Sequence, residues 1–448
     1  MTEPHKQAAQ LSRAIELAAR ARLAMNAGAS LEKALEAACR QTTGAERAAA
    51  QALLYTATRR HMLAQAVLAM LAQRPPEPFV RFVLLVALAE LFESPQKSYV
   101  ICNEAVKTVK RTAPAAAGFA NACLRRFTRE RDALVARAMA REDVRFNAPA
   151  WWINKMRGAL GKERADAMMA LAQKRPPMTV RVNSRRTSVE AWCAMAREAG
   201  LETRPLAQQA VMLMTPVPVS ELPGFSEGLV SVQDAGAQLA AHFLSPKEGE
   251  SVLDACAAPG GKTAHLLELA RCRVTALEVD SARSTRIHDN LRRLGLEACV
   301  RTADAADVGS WSAGETYDAV LLDAPCTASG IVRRHPDIVF SRRPADIDAL
   351  AIQQKRLLEA LWPLVKFGGR LLYVVCSVFE EEGPGQISAF LARHPEASLV
   401  PAAPGAAPML TLTASEDDGA GSKATFPGIA PVHDGFFYAL LTKRTPTA

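Results

Sequence analysis

The stretch Asp254-Ala255-Cys256-Ala257-Ala258-Pro259-Gly260-Gly261-Lys262-Thr263 decides the fold. It closes the short apolar run Ser251 to Cys256 and opens a helical pattern, so a buried strand turns into a helix here. Small residues and two glycines let the backbone come close to a ligand at a helix N-terminus. Gly261-Lys262-Thr263 imitates the end of a phosphate-binding P-loop, but that motif needs a glycine at position 256, where Cys256 stands. The reading is a ligand loop, and not that of an NTPase.

Toward the C-terminus the pattern repeats. Arg273 to Val279, Tyr317 to Leu322 and Arg370 to Val375 are short apolar runs, with amphipathic stretches such as Ser281 to Leu294 and Ala345 to Val365 between them. Residues 231–448 therefore predict an α/β domain with a doubly wound, Rossmann-like parallel sheet, which binds ligands at the carboxyl ends of its strands. Those ends carry chemistry. Asp280 lies about 20 residues past the glycines, where nucleotide-binding sheets place an acceptor for ribose hydroxyls. The plainer reading is a cap for the following helix. Asp304, after the third strand, is placed to accept from an adenine amino group. The fourth strand ends in Asp323-Ala324-Pro325-Cys326 and the fifth in Val375-Cys376-Ser377. A lone cysteine after a strand is usually a small apolar filler. Two, on strands bordering one crevice, suggest thiol chemistry. Pro401 to Lys423, rich in Pro, Gly, Ala and Asp, reads as a mobile loop.

Toward the N-terminus, residues 1–140 form an all-helical pattern rich in Ala, Leu, Arg and Glu, with breaks at Gly28 to Ser30, Thr42 to Gly44, Arg74 to Pro78 and Thr112 to Gly118. Residues 141–230 change character. Trp151-Trp152 opens a helical stretch to Gln173, and the alternating Met178 to Asn183 reads as a strand, which predicts a small α+β module. The turn-rich junction Pro216 to Gly228 separates it from the large domain.

Charge follows these divisions. Lys and Arg against Asp and Glu number 22 and 13 in residues 1–145, 11 and 7 in 146–230, and 21 and 26 in 231–448. A basic front half on a slightly acidic back half suits a polyanion partner, though solvated arginine-rich helices read the same way. The nine cysteines (39, 102, 123, 193, 256, 272, 299, 326, 376) are scattered and contain no Cys-x-x-Cys pair. That predicts reduced thiols in a cytoplasmic protein, with no metal. The most apolar stretch, Phe79 to Leu91, is too short to span a bilayer and holds Arg81 and Glu90, and residues 1–22 lack the apolar run of an export signal, so no membrane partner is expected.

Taken together, DACAAPGGKT, LEVD, LLDAPCTASGIVRRHPDI and VVCSV resemble the RNA cytosine-C5 methyltransferases related to the NOP2/Sun proteins, four motifs in order at similar spacing. Gln233-Asp234 and Asp434-Gly435-Phe436-Phe437 look like further signatures, and Arg181-Val182-Asn183 is similar to the family's small RNA-binding module. Asn103-Glu104-Ala105-Val106 and Gly118 to Arg126 resemble the NusB fold, a pairing similar to the bacterial branch of the family that acts on 16S rRNA.

The resemblance implies a class I S-adenosylmethionine-dependent methyltransferase domain behind a NusB-like head. It implies Cys376 as the nucleophile that adds to cytosine C6, Cys326 as the residue that helps expel it, and Asp323 on the cytosine edge with Lys262 as an electrostatic aid. S-Adenosylmethionine would be held by Cys256, Ala257, Ala258, Pro259, Gly260, Gly261, Lys262, Asp280, Asp304 and Asp323. The expected partner of a monomer is 16S rRNA, not DNA, because DNA cytosine enzymes attack with the Pro-Cys pair instead. Arg333, Arg334 and His335, just past Cys326, either line the entrance or start a solvated helix. Two positions depart from the family: Val375 replaces the usual Thr, and Ala148-Pro149 replaces His-Pro. The rival reading is an RNA-binding assembly or antitermination factor whose methyltransferase fold has lost turnover, and Val375 is its sequence support.

Overall fold

A computed structural model describes residues 3–402, 406–415 and 432–445. The chain divides into two compact units. One comprises Met1–Lys174 with Val332–Arg342, the other Arg175–Ile331 with Arg343–Ala448. The helices Glu142–Phe146, Ala150–Leu160 and Lys162–Ala172 thus belong to the first unit, and the small strands that follow them to the second.

The first unit is helical. Its central helix, Pro78–Glu93, buries Val80, every residue from Phe82 to Ala89, and Leu91. A helix apolar on all sides is stable only when surrounded. Glu3–Asn26, Gly44–Arg59, His61–Leu71 and Ser98–Thr112 pack around it. The four expected breaks each fall between helices. A further break at Arg60 carries no glycine, proline or local cap, because its stabilising group is remote. Asn147 donates from Nδ2 to the Thr58 carbonyl (3.0 Å) and accepts at Oδ1 from the Met62 amide (2.9 Å), holding both sides of the break.

The second unit holds two sheets. In the smaller, β1 (Met178–Val182), β2 (Thr203–Pro205), β3 (Ala210–Leu213) and β4 (Val230–Val232) pair antiparallel in the order β2-β3-β1-β4. The helix Val189–Glu198 seats a fully buried Trp192 on their apolar face.

The larger sheet contains β5 (Ser251–Ala255), β6 (Arg273–Glu278), β7 (Cys299–Thr302), β8 (Tyr317–Asp323), β9 (Val365–Val375), β10 (Ala397–Val400), β11 (Met409–Leu412) and β12 (Phe436–Lys443). The order is β10-β12-β9-β8-β5-β6-β7, with β11 also paired to β12. Strands β5 to β9 run parallel and β12 runs antiparallel beside β9. The sheet winds outward in both directions from the adjacent pair β5 and β8, so a crevice opens at their carboxyl ends. This is the doubly wound, Rossmann-like architecture expected from the sequence.

Two expectations need correction. The stretch expected as one helix from Ala345 to Val365 ends at Leu361, turns through Trp362–Leu364, and enters β9 at Val365. Gly368, at φ +78°, lies where the β8–β9 register shifts, a conformation only glycine adopts without strain. Within Pro401 to Lys423, Met409–Leu412 is strand β11, in register with Phe436 to Ala439, and not loop. Residues 403–405 and 416–423 of that stretch lie outside the described residues.

One buried ion pair ties the small sheet to the ligand loop. Arg181 on β1 is fully buried, binds both carboxylate oxygens of Glu268 (2.8 and 2.7 Å), and donates to the Gly261 carbonyl (2.8 Å) and to Gln233. Such a pair depends on complete hydrogen bonding to offset desolvation. R181A should therefore cost about 3 kcal/mol, whereas R181L/E268L should recover most of that loss. Denaturant unfolding followed by circular dichroism measures both.

Candidate active site

The glycine loop runs from β5 into the helix Gly261–Leu269. Cys256 takes a left-handed conformation (φ 66°), and Gly260 follows at φ +93°, where a Cβ would press against Ile287 at 3.1 Å. At Gly261 a Cβ would meet nothing closer than the Gln233 amide nitrogen at 3.7 Å, so the loop's first helical turn is open. Beneath it Asp254 is fully buried. Thr263 donates to its Oδ2 at 2.6 Å, while Oδ1 has no hydrogen-bond partner among the described residues. Burial, reinforced by the Asp323 charge and opposed by Thr263 and Lys262, pushes the Asp254 pKa up to about 7.

Two cysteines meet at the carboxyl ends of β8 and β9. The strands pair with Asp323 opposite Val374, and the Ala324 amide continues the ladder to the Val374 carbonyl (2.9 Å). This register brings Cys326 Sγ to 3.4 Å from Cys376 Sγ. The Gly330 amide donates to the Cys376 carbonyl (2.9 Å), and Ala328 adopts φ 62°, a costly conformation for a residue with a Cβ. Gly330 is required here, since a Cβ would strike the Gly435 carbonyl oxygen at 2.2 Å. The hydrogen bond to Cys376 first, then burial and the charges of Cys376 and Glu382, raise the Cys326 pKa well above that of a free thiol. The thiol form of Cys326 is thereby favoured over its thiolate.

Lys262 and Asp323 form an ion pair at 2.5 Å, with side chains 14% and 28% exposed. Burial alone would lower the Lys262 pKa. The Asp323 charge and hydrogen bond, aided by Cys376 and Asp254, outweigh it and raise the value, so the lysine stays cationic within electrostatic reach of Cys376. The site offers a positive charge and two sulfurs at the ends of β8 and β9, with carboxylates at the ends of β6 and β8. Acceptors beside an open glycine turn suit a ligand that carries hydroxyl and amino donors.

Family models match along the whole course of the chain: the NusB family over residues 2–129, the ferredoxin-like domain of the RsmF/B-like methyltransferases over 148–220, and the 16S rRNA methyltransferase RsmB/F over 241–442. A ribosomal RNA small subunit methyltransferase B from Klebsiella pneumoniae is 39% identical over 430 residues, covering 93% of this chain and 95% of its own. The chain belongs to the RsmB/F family. An Escherichia coli protein of the same description is 40% identical over 82% of each chain. Among solved structures, PH0851 superposes with a TM-score of 0.74 at 26% identity, covering 96% of this chain and 99% of its own. A methyltransferase homolog from Pyrococcus horikoshii gives 0.54 at 28%, covering 68% and 97%.

Against this family background, the structure brings the glycine loop, Lys262, Asp323, Cys326 and Cys376 together at adjacent strand ends. Asp280 takes the plainer of its two roles. Its Oδ1 caps the helix Ser281–Leu294 by accepting from the amides of Ala282 (2.8 Å) and Arg283 (3.1 Å). Asp304 is also engaged, through Arg356 Nη2 on Oδ2 (2.7 Å) and the Ala306 amide on Oδ1 (2.9 Å). Glu278, passed over in the sequence although LEVD contains it, is the last residue of β6 and is buried. Its Oε1 accepts from the Asp280 amide at 3.1 Å.

Other motifs carry packing. Asp234 Oδ1 caps the helix Ala235–Leu244 and accepts from the Asp434 amide (3.1 Å), and Tyr438 donates to the Gly236 carbonyl (2.6 Å). Arg181 and Asn183 are buried and so cannot meet phosphates. Arg333, Arg334 and His335 belong to the first unit. There Arg333 is buried and its carbonyl accepts from Arg59 (3.1 Å), while Asp337 and Phe340 engage the Leu31 amide and His61. Val375 is fully buried in the apolar cluster with Leu322 and Tyr373, so its methyl groups fill core space. Among the described residues no helix is long and apolar enough to cross a membrane.

The buried Asp254 makes stability depend on pH. Its folded pKa lies above the value of an unfolded aspartate, so the folded state keeps the proton longer. The stabilisation is complete below about pH 4 and is lost as pH rises toward 7. D254N, which keeps the Thr263 bond, should gain stability over wild type by about 2 kcal/mol between pH 5 and 7 and gain little beyond. Paired unfolding curves across that range measure the difference.

Proposed function

We propose that this protein methylates C5 of a cytosine in 16S rRNA, with S-adenosylmethionine as donor and Cys376 as a covalent nucleophile. The observation that carries the reading is the 3.4 Å approach of Cys376 and Cys326 beside the Lys262–Asp323 pair. When bound, S-adenosylmethionine supplies an electrophilic methyl group on a sulfonium.

Cytosine C5 is a weak nucleophile until a group adds at C6. The Cys376 sulfur adds there and forms a C–S bond, which moves an electron pair toward C5. Lys262 offsets negative charge at the reacting sulfur, and Asp323 holds the polar edge of the ring. After methylation C5 loses its proton to water, the C6–S bond breaks, and the electron pair returns to Cys376. Cys326 donates its S–H to that departing sulfur, consistent with burial that disfavours its thiolate. The target base must leave its stack to reach these thiols, and the basic first 230 residues supply charge for the phosphates around it.

The backbone of Cys256 to Gly261 with Lys262 would hold the donor from the helix side, and Asp304 and Asp323 from the neighbouring strand ends. Because Asp280 is committed to its helix, Glu278 is the better acceptor for ribose hydroxyls on β6. The domain boundaries proposed for this activity are residues 1–140 for the NusB-like head, 141–230 for the small module and 231–448 for catalysis.

With undermethylated small-subunit rRNA and labelled donor, C376A should transfer no label. C326A should accumulate a protein–RNA adduct that survives denaturing electrophoresis. An enzyme attacking through the Pro-Cys pair gives the reverse, and a pure binding protein transfers nothing even as wild type. Calorimetry separates the two carboxylates of β6. E278Q should weaken S-adenosylmethionine binding about tenfold, the loss of a charge-assisted hydrogen bond, while D280N, still a good cap, should bind as wild type.

A further inference from the structure

Glu382 is fully buried, and neither the motifs nor the proposed chemistry use it. Its side chain lies between the two cysteine loops. Oε1 accepts from the Thr327 amide (2.7 Å) and from Gln354 Nε2 (3.2 Å), and Oε2 accepts from the Thr327 hydroxyl (2.5 Å) and the Ser377 hydroxyl (2.5 Å). Thr327 directly follows Cys326, and Ser377 directly follows Cys376. One carboxylate therefore binds the neighbours of both sulfurs.

The surrounding bonds fix Glu382 itself. Tyr373 on β9 donates to its carbonyl (2.7 Å), and Gln354 also donates to the carbonyl of Pro325, the residue before Cys326 (2.9 Å). Ser329 adds a bond to Ser377 (2.9 Å) and accepts from the Val378 amide (3.0 Å). A carboxylate taken out of water is costly unless its lone pairs are filled. Here donors from two loops and a helix fill them, and the same bonds fix how far apart the loops lie. Strand register brings the two sulfurs near each other, but the β8–β9 ladder gives out with the Ala324–Val374 bond, two residues short of each sulfur, and past it the loops are joined by the Gly330–Cys376 backbone bond and by the bonds to Glu382.

We infer that Glu382 is a positioning residue that clamps the Cys326 and Cys376 loops at the separation the two-thiol reaction requires. The inference rests on the cytosine-C5 reading for its consequence in catalysis, but not for its geometry. An amide at this position keeps the clamp, because the Thr327 and Ser377 hydroxyls can turn to accept from its NH2. Alanine removes the acceptor that the Thr327 amide and the Thr327 and Ser377 hydroxyls share, and with it the link between the two loops.

The test pairs turnover with a readout that needs no reaction. Phenylarsine oxide bridges two close thiols with loss of water, and peptide mapping of the full-length protein assigns the bridge, with C326A as control. Wild type should form a Cys326–Cys376 bridge. E382A should bridge about tenfold more slowly and lose about a hundredfold in kcat with an unchanged KM for S-adenosylmethionine, the scale expected of a displacement near 1 Å. E382Q should stay within about threefold of wild type on both, since its hydrogen bonds survive. S377A, which removes one donor and is expected to fold if E382A does not, should lose about tenfold in kcat. Wild-type bridging and kcat in folded E382A or S377A, or an E382Q as impaired as E382A, would overturn the clamp. If wild type proves not to methylate cytosine while E382A still bridges slowly, the clamp stands and the proposed reaction falls.

Discussion

Parallel pairing of β8 with β9, Asp323 opposite Val374, is the constraint on which the site depends. Strand register fixes what lies opposite what, and a slip of one residue would turn each side chain to the other face. With this register the residues just past the two strands face the same crevice, and their sulfurs lie 3.4 Å apart. The apolar interior supports it. Val320 and Leu322 on β8, and Leu371, Tyr373 and Val375 on β9, share one buried cluster with Phe437 and Leu441 of β12, so movement of either strand would disturb close packing as well as hydrogen bonds.

Around that centre, charge and backbone strain collect where a ligand loop needs them. Cys256, Gly260 and Ala328 hold left-handed conformations within the two loops that face the crevice, and Asp254 is buried below them with one oxygen that has no partner among the described residues. Features of this kind are retained only where the rest of the fold holds them in place. Arg181 contributes from the small sheet by holding Glu268 and the Gly261 carbonyl, so the module before the catalytic domain helps to set the loop's shape.

Much of this was legible in the sequence because the signals are local. Apolar runs of strand length, followed by the glycine loop, by a carboxylate or by a cysteine, marked the ends of β5, β6, β8 and β9, and Ser281–Leu294 matches its helix from cap to closing glycine. What was hidden is non-local or depends on which of two neighbours points inward. Asn147 caps a helix break more than eighty positions away, at Met62. Asp280 and Glu278 differ only in that one starts a helix and the other ends a strand. Arg181 reads as a basic residue for RNA and is instead a buried partner of Glu268, since burial is set by the packing of one sheet against a distant helix. Glu382 sits in a run of three glutamates that none of the sequence motifs includes, and the fold buries it.

The account rests on which sulfur bonds to the base. Incubating the wild-type protein with small-subunit RNA carrying 5-fluorocytosine, which cannot release its C5 substituent as a proton, and mapping the cross-linked peptide by mass spectrometry, tests this most directly. A nucleotide attached through Cys376 is the expected result. Attachment through Cys326, or label transfer with no attachment, would contradict it.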